Sequence, residues 1–97
     1  MDPRKKLARK EILRMARFAG DIGSTAELCT RMLAEAGIET SLSEVLGHLE
    51  YLAGPGKEYV TLHRHEITGL GERTIVKLLP KGVDLLEKNI PADPGVA

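Results

Sequence analysis

The chain has one cysteine, no tryptophan, two tyrosines and one phenylalanine among 97 residues. A lone Cys29 excludes an intrachain disulfide and a cysteine-based zinc site. No apolar run approaches the roughly 18 residues that a membrane-spanning helix needs. The basic N-terminus is not followed by an apolar run with a small-residue cleavage site, so it does not read as a signal peptide. The expected location is the cytoplasm, with no membrane partner. There is no glycine-rich phosphate loop, no His-Glu-x-x-His and no nucleophile elbow. The chain therefore does not read as an enzyme, and no cofactor, metal or small-molecule ligand is expected.

An excess of either charge is also missing. Fourteen bases balance fourteen acids, which argues against a strong, non-specific nucleic-acid binder. The balance hides an asymmetry. Residues 1–20 hold seven bases against two acids, a net of +5, and residues 21–97 hold seven against twelve, a net of −5. Residues 1–97 suit one domain, large enough to bury roughly two-thirds of its unfolded surface.

Asp2-Pro3 reads as a helix start, and residues 3–19 carry a helical period. Ala8, Ile12, Met15, Ala16 and Ala19 fall on one face. Lys6, Lys10, Arg14 and Arg17 fall on the opposite one, with Leu13 among them. Ser24-Thr-Ala-Glu27 has the form of a capping box and opens a second helix through Ala36. Leu28, Cys29, Met32 and Leu33 form its buried side. Ser41-Leu-Ser-Glu44 is a second such box. It opens a third helix to about Ala53, lined by Leu42, Val45, Leu46, Leu49 and Leu52. Gly54-Pro55-Gly56 ends it.

The period then changes. Glu58–Ile67 reads as a strand, with Val60 and Leu62 on one side and Tyr59, Thr61, His63 and His65 on the other. Thr68–Glu72 is a turn, and Thr74–Leu79 is a second strand. Pro80 starts a short helix to about Lys88. The tail, residues 91–97, holds too much proline and glycine to continue it. It is an ordered strap or a loose end, and a loose tail is the expectation.

This order predicts an α+β fold of the winged-helix type: three helices, a two-stranded β-hairpin wing and a short C-terminal helix. Val45-Leu-Gly-His-Leu-Glu-Tyr-Leu, Tyr59-Val-Thr-Leu and Ile75-Val-Lys-Leu-Leu-Pro-Lys-Gly-Val-Asp-Leu-Leu-Glu resemble winged-helix proteins of the bacterial transcriptional-regulator kind. They are most similar to small stand-alone winged-helix proteins of phages and prophages, over residues 24–97. The resemblance implies a DNA-binding protein, a small transcriptional regulator whose partner is double-stranded DNA. It places Ser43, Glu44, Gly47, His48 and Tyr51 of the third helix on the reading surface. The wing would add Arg64, His65 and Arg73, with Lys77 as a further candidate.

One departure stands out. Between Ser41 and Ala53 the third helix carries Glu44 and Glu50 but no lysine or arginine, whereas base and phosphate contacts favour cations. The alternative is a winged-helix protein-interaction module that does not touch DNA. The basic face of the first helix fits DNA phosphates, solvent, an acidic protein partner or a homodimer. Its direction relative to the third helix and the wing separates these readings. His63 and His65 share a strand face but lack converging ligands. Gly47, mid-helix on an outward face, either admits a close backbone or has no role.

Overall fold

The computed structural model describes residues 2–96. Among these the chain forms four α-helices and a three-stranded antiparallel sheet: α1 Pro3–Ala19, β1 Ser24–Thr25, α2 Ala26–Glu35, α3 Leu42–Ala53, β2 Val60–Ile67, β3 Gly71–Leu78 and α4 Pro80–Leu86. A single 3-10 turn, Gly20–Ile22, joins α1 to β1. The fold is α+β, as the sequence pattern predicts. No helix among the described residues is long and apolar enough to cross a membrane.

Local chemistry sets the helix starts. The Asp2 carboxylate accepts from the Arg4 N–H at 2.8 Å, with Pro3 in the first turn. Ser41 caps α3 and Glu44 reaches back to it, so this predicted capping box forms. The other box does not. The cap of α2 is Thr25, whose hydroxyl accepts from the Leu28 N–H, and Ser24 is buried. Ser24 and Thr25 instead pair with Val76 and Ile75 as a third strand. Gly23 makes that approach feasible: its φ is +79°, and a side chain there would press on Ile75, Lys77 and the Val76 carbonyl. The β2–β3 hairpin therefore belongs to a sheet of order β1-β3-β2 and does not stand alone.

β2 and β3 pair from Val60↔Leu78 to Ile67↔Gly71. Burial follows the root of this hairpin. Val60 and Val76 lie in the core, whereas His63 to Glu72 are exposed, so the distal half projects beyond the body. The core joins the sheet root to Ile12 and Leu13 of α1, Cys29 and Leu33 of α2, and Val45, Leu49 and Leu52 of α3.

Two expectations about α1 need correction. Leu13 is fully buried and Arg9 is 9% exposed, so both point inward. The buried arc runs from Ala8 through Ile12 and Ala16 to Leu13, about 140° at 100° per residue. Lys6, Lys10 and Arg17 therefore flank the buried face, and Arg14 alone stands opposite it. Lys6 and Lys10 are half-buried as a result.

The tail is the third correction. Residues 91–96 form an ordered strap in which Asp93 and Val96 are buried. Ala97 lies outside the described residues.

Candidate functional site

The strap is held by one carboxylate. Asp93 Oδ1 accepts from the Tyr51 hydroxyl and the Gly95 N–H, each at 2.7 Å. Its Oδ2 accepts from the Tyr59 hydroxyl at 2.7 Å and faces Lys57 Nζ at 3.0 Å. Burial alone would raise the Asp93 pKa. The hydrogen bonds from Tyr51, Tyr59, Gly95 and Lys57 outweigh it and hold the carboxyl well below the usual range. Beside it, the Arg9 guanidinium lies 3.9 Å from the Tyr51 ring centroid and donates to the Gly95 carbonyl at 3.3 Å. Gly95 is required here, because a β-carbon would collide with the Tyr51 ring.

This network overturns part of the expected reading surface. His48 is 6% exposed, and its Nδ1 accepts from Arg9 Nε at 3.1 Å. Tyr51 is half-buried with its hydroxyl on Asp93. Both face α1 and the strap, not the outside. The sequence misplaces them because polar residues on an apolar helix default to the solvent side. Here the buried partners are Arg9 and Asp93, 39 and 42 residues away in sequence, which no local period reveals.

A Nδ1 that accepts a hydrogen bond is unprotonated. Burial, followed by the Arg9 charge, lowers the His48 pKa below its ordinary 6.5. Between the lowered folded value and 6.5 the unfolded chain binds more protons, so stability falls as pH drops through that window and is unaffected above it. Thermal midpoints from about pH 8 to pH 5 should decline only below about pH 6.5. His48→Gln keeps an acceptor opposite Arg9 and should flatten that decline. An unchanged slope in this variant would assign it to other groups.

The outward face of α3 retains Ser43, Glu44, Gly47 and Glu50, all exposed. Glu44 Oε1 accepts from the Ser41 N–H and hydroxyl at 3.3 and 3.2 Å, so the cap engages it. Gly47 has open space around it. On the β2–β3 hairpin, Arg64 lies between Glu50 at 3.9 Å and Glu72 at 4.0 Å. Arg73 pairs with Glu27 of α2 at 3.5 Å. His65 is exposed, its ring 6.4 Å from that of His63. No group of three metal-ligating side chains occurs among the described residues. Cys29 is buried, and burial raises its thiol pKa against a smaller opposing effect from the Ser24 hydroxyl.

The α1 cations point elsewhere. Lys10, Arg14 and Arg17 line a groove of about 780 Å³ between α1, α4 and the strap. Phe18, Leu86 and Ile90 supply apolar wall, and Lys88 adds a fourth cation. Phe18 is 93% exposed. The sequence identified these bases but missed the groove, because α4 and the strap reach α1 only through the tertiary fold.

No family model matches the chain, and no curated protein or solved structure matches it.

Proposed function

We propose that this chain is a winged-helix-like protein-interaction module that engages its partner beside α1 and α4. Three helices followed by an antiparallel hairpin support the winged-helix reading of the α+β architecture. The observation that carries the functional part is the direction of charge. Lys10, Arg14 and Arg17 line the α1–α4 groove, whereas the outward face of α3 bears Glu44 and Glu50 and no cation. Reading DNA would place those acids near phosphates. The wing cations Arg64 and Arg73 already lie beside Glu50, Glu72 and Glu27.

Duplex DNA is the second reading, that of a small cytoplasmic transcriptional regulator, alone or as a homodimer. It is favoured by Lys6, Lys10, Arg14 and Arg17 of α1, a compact stripe suited to phosphate contacts. A labelled mixed-sequence duplex, titrated at about 50 mM and 200 mM salt, separates the two. The interaction-module reading expects no saturable binding at the lower salt. It also expects photo-crosslinkers at position 18 to capture protein and those at position 47 to capture nothing. Duplex binding that disappears with Lys6→Glu, Lys10→Glu and Arg14→Glu combined would overturn it in favour of DNA.

A further inference from the structure

We infer that the α1–α4 groove receives an acidic amphipathic helix, its apolar side on Phe18, Leu86 and Ile90 and its carboxylates on Lys10, Arg14 and Lys88. This rests on the protein-interaction reading and specifies the partner's chemistry.

Three features define the occupant. The first is apolar wall left without cover. Phe18 is 93% exposed, and it borders a groove of about 780 Å³ that Leu86 and Ile90 also line. Single exposed apolar residues are ordinary, but a contiguous set along a trough marks an interaction surface.

The second is charge. Four cations line the groove, and its one lining acid is Asp93. That side chain is 2% exposed and occupied by Tyr51, Tyr59, Gly95 and Lys57. Arg14 and Arg17 do have partners, Glu11 and Glu87. Those pairs are solvent-exposed, with Arg14 and Arg17 at 56% and 48%, so exchanging them for an incoming carboxylate costs little. The lining thus combines four cations with the apolar Phe18, Leu86 and Ile90. Its complement is a segment with acids flanking an apolar stripe.

The third is backbone chemistry. Two of the walls, α1 and α4, are helices that satisfy their own N–H and C=O groups, and the third, the strap, belongs to no sheet. The sheet edges available for strand addition lie on β1 and β2, outside this groove. An extended peptide would therefore find no strand edge to extend here. A helical one brings its own hydrogen bonds and needs only apolar anchors at i, i+3 or i+4, and i+7.

Two labelled peptides test this, each with leucines at that spacing on an alanine background. One carries glutamates at the flanking positions and the other carries lysines. Binding is followed by fluorescence anisotropy, and the site is located by amide chemical-shift changes on the full chain. The glutamate peptide should bind, with shifts confined to α1, α4 and the strap, and should weaken as salt rises. Phe18→Ser should weaken it about tenfold, in line with loss of a central anchor. Lys10→Glu, Arg14→Glu and Lys88→Glu combined should reverse the preference toward the lysine peptide. That reversal is a gain of binding, which an unfolded variant cannot show.

Equal binding of both peptides in the groove would overturn the acidic-partner inference and leave the interaction-module reading standing. No peptide binding, together with salt-sensitive duplex binding, would overturn both. Self-association through the groove that the glutamate peptide does not compete away, or binding only to anionic lipid vesicles, would also overturn the inference.

Discussion

Asp93→Ala should lower the unfolding free energy by roughly 2–4 kcal/mol through the buried donors it leaves unmatched, a large part of the stability of a domain this size. The variant removes the acceptor shared by the Tyr51 and Tyr59 hydroxyls and the Gly95 N–H, and leaves Lys57 without its carboxylate. Buried donors left unmatched cost more than their hydrogen bonds contributed. Asp93→Asn keeps one carbonyl oxygen and should lose less. Urea titration of the three proteins, with m-values compared, measures both effects. A loss below about 1 kcal/mol for Asp93→Ala would mean the strap contributes no more than an ordinary surface contact.

The same carboxylate sets the pH limits. Its folded pKa is lowered, so its stabilisation is present above the ordinary value of 3.8 and is lost as pH falls below it. Tyr59 sets the opposite limb. Burial first, then the hydrogen bond it donates to Asp93 and the charge of that carboxylate, push its pKa up from 10.0 to about 12. The unfolded chain ionises Tyr59 first, so stability should also fall as pH rises above about 10.

How much of this was legible before the fold was known follows the range of the interactions. The Ser41–Glu44 box, the Asp2 cap and the stop at Gly54 are written within a few residues, and they form as predicted. The strands are also local, since alternation and the glycine turn mark them. Errors arise where distant chain segments compete with local preference. Ser24 has a capping sequence but joins β3, because Val76 offers a backbone ladder. The tail has the composition of a loose end, yet Asp93 meets two tyrosines and Lys57 from segments far away in the sequence. The candidate site divides in the same way. The basic stripe is visible in sequence. Its groove, and the inward turn of His48 and Tyr51, depend on α4, Arg9 and the strap arriving together.

Leu13 gives the strongest test of that last point, because sequence pattern and structure assign it opposite environments. A residue standing among exposed bases should tolerate truncation, with an effect within about 0.5 kcal/mol. Leu13 is instead fully buried in the core that joins α1 to α2, α3 and the sheet root. Leu13→Ala should therefore cost roughly 2–5 kcal/mol, combining lost transfer energy with the cavity left behind. Phe18, five residues along the same helix and 93% exposed, is the internal control. Phe18→Ala removes a larger side chain yet should leave the unfolding midpoint nearly unchanged. If the two substitutions cost the same, the inward rotation of α1 is wrong. The cationic groove is then wrong with it, since the turn that buries Arg9 and Leu13 also directs Lys10, Arg14 and Arg17 toward α4. If they differ as expected, the loss of peptide binding in Phe18→Ser can be read as loss of a contact, because truncation at that position does not disturb the fold.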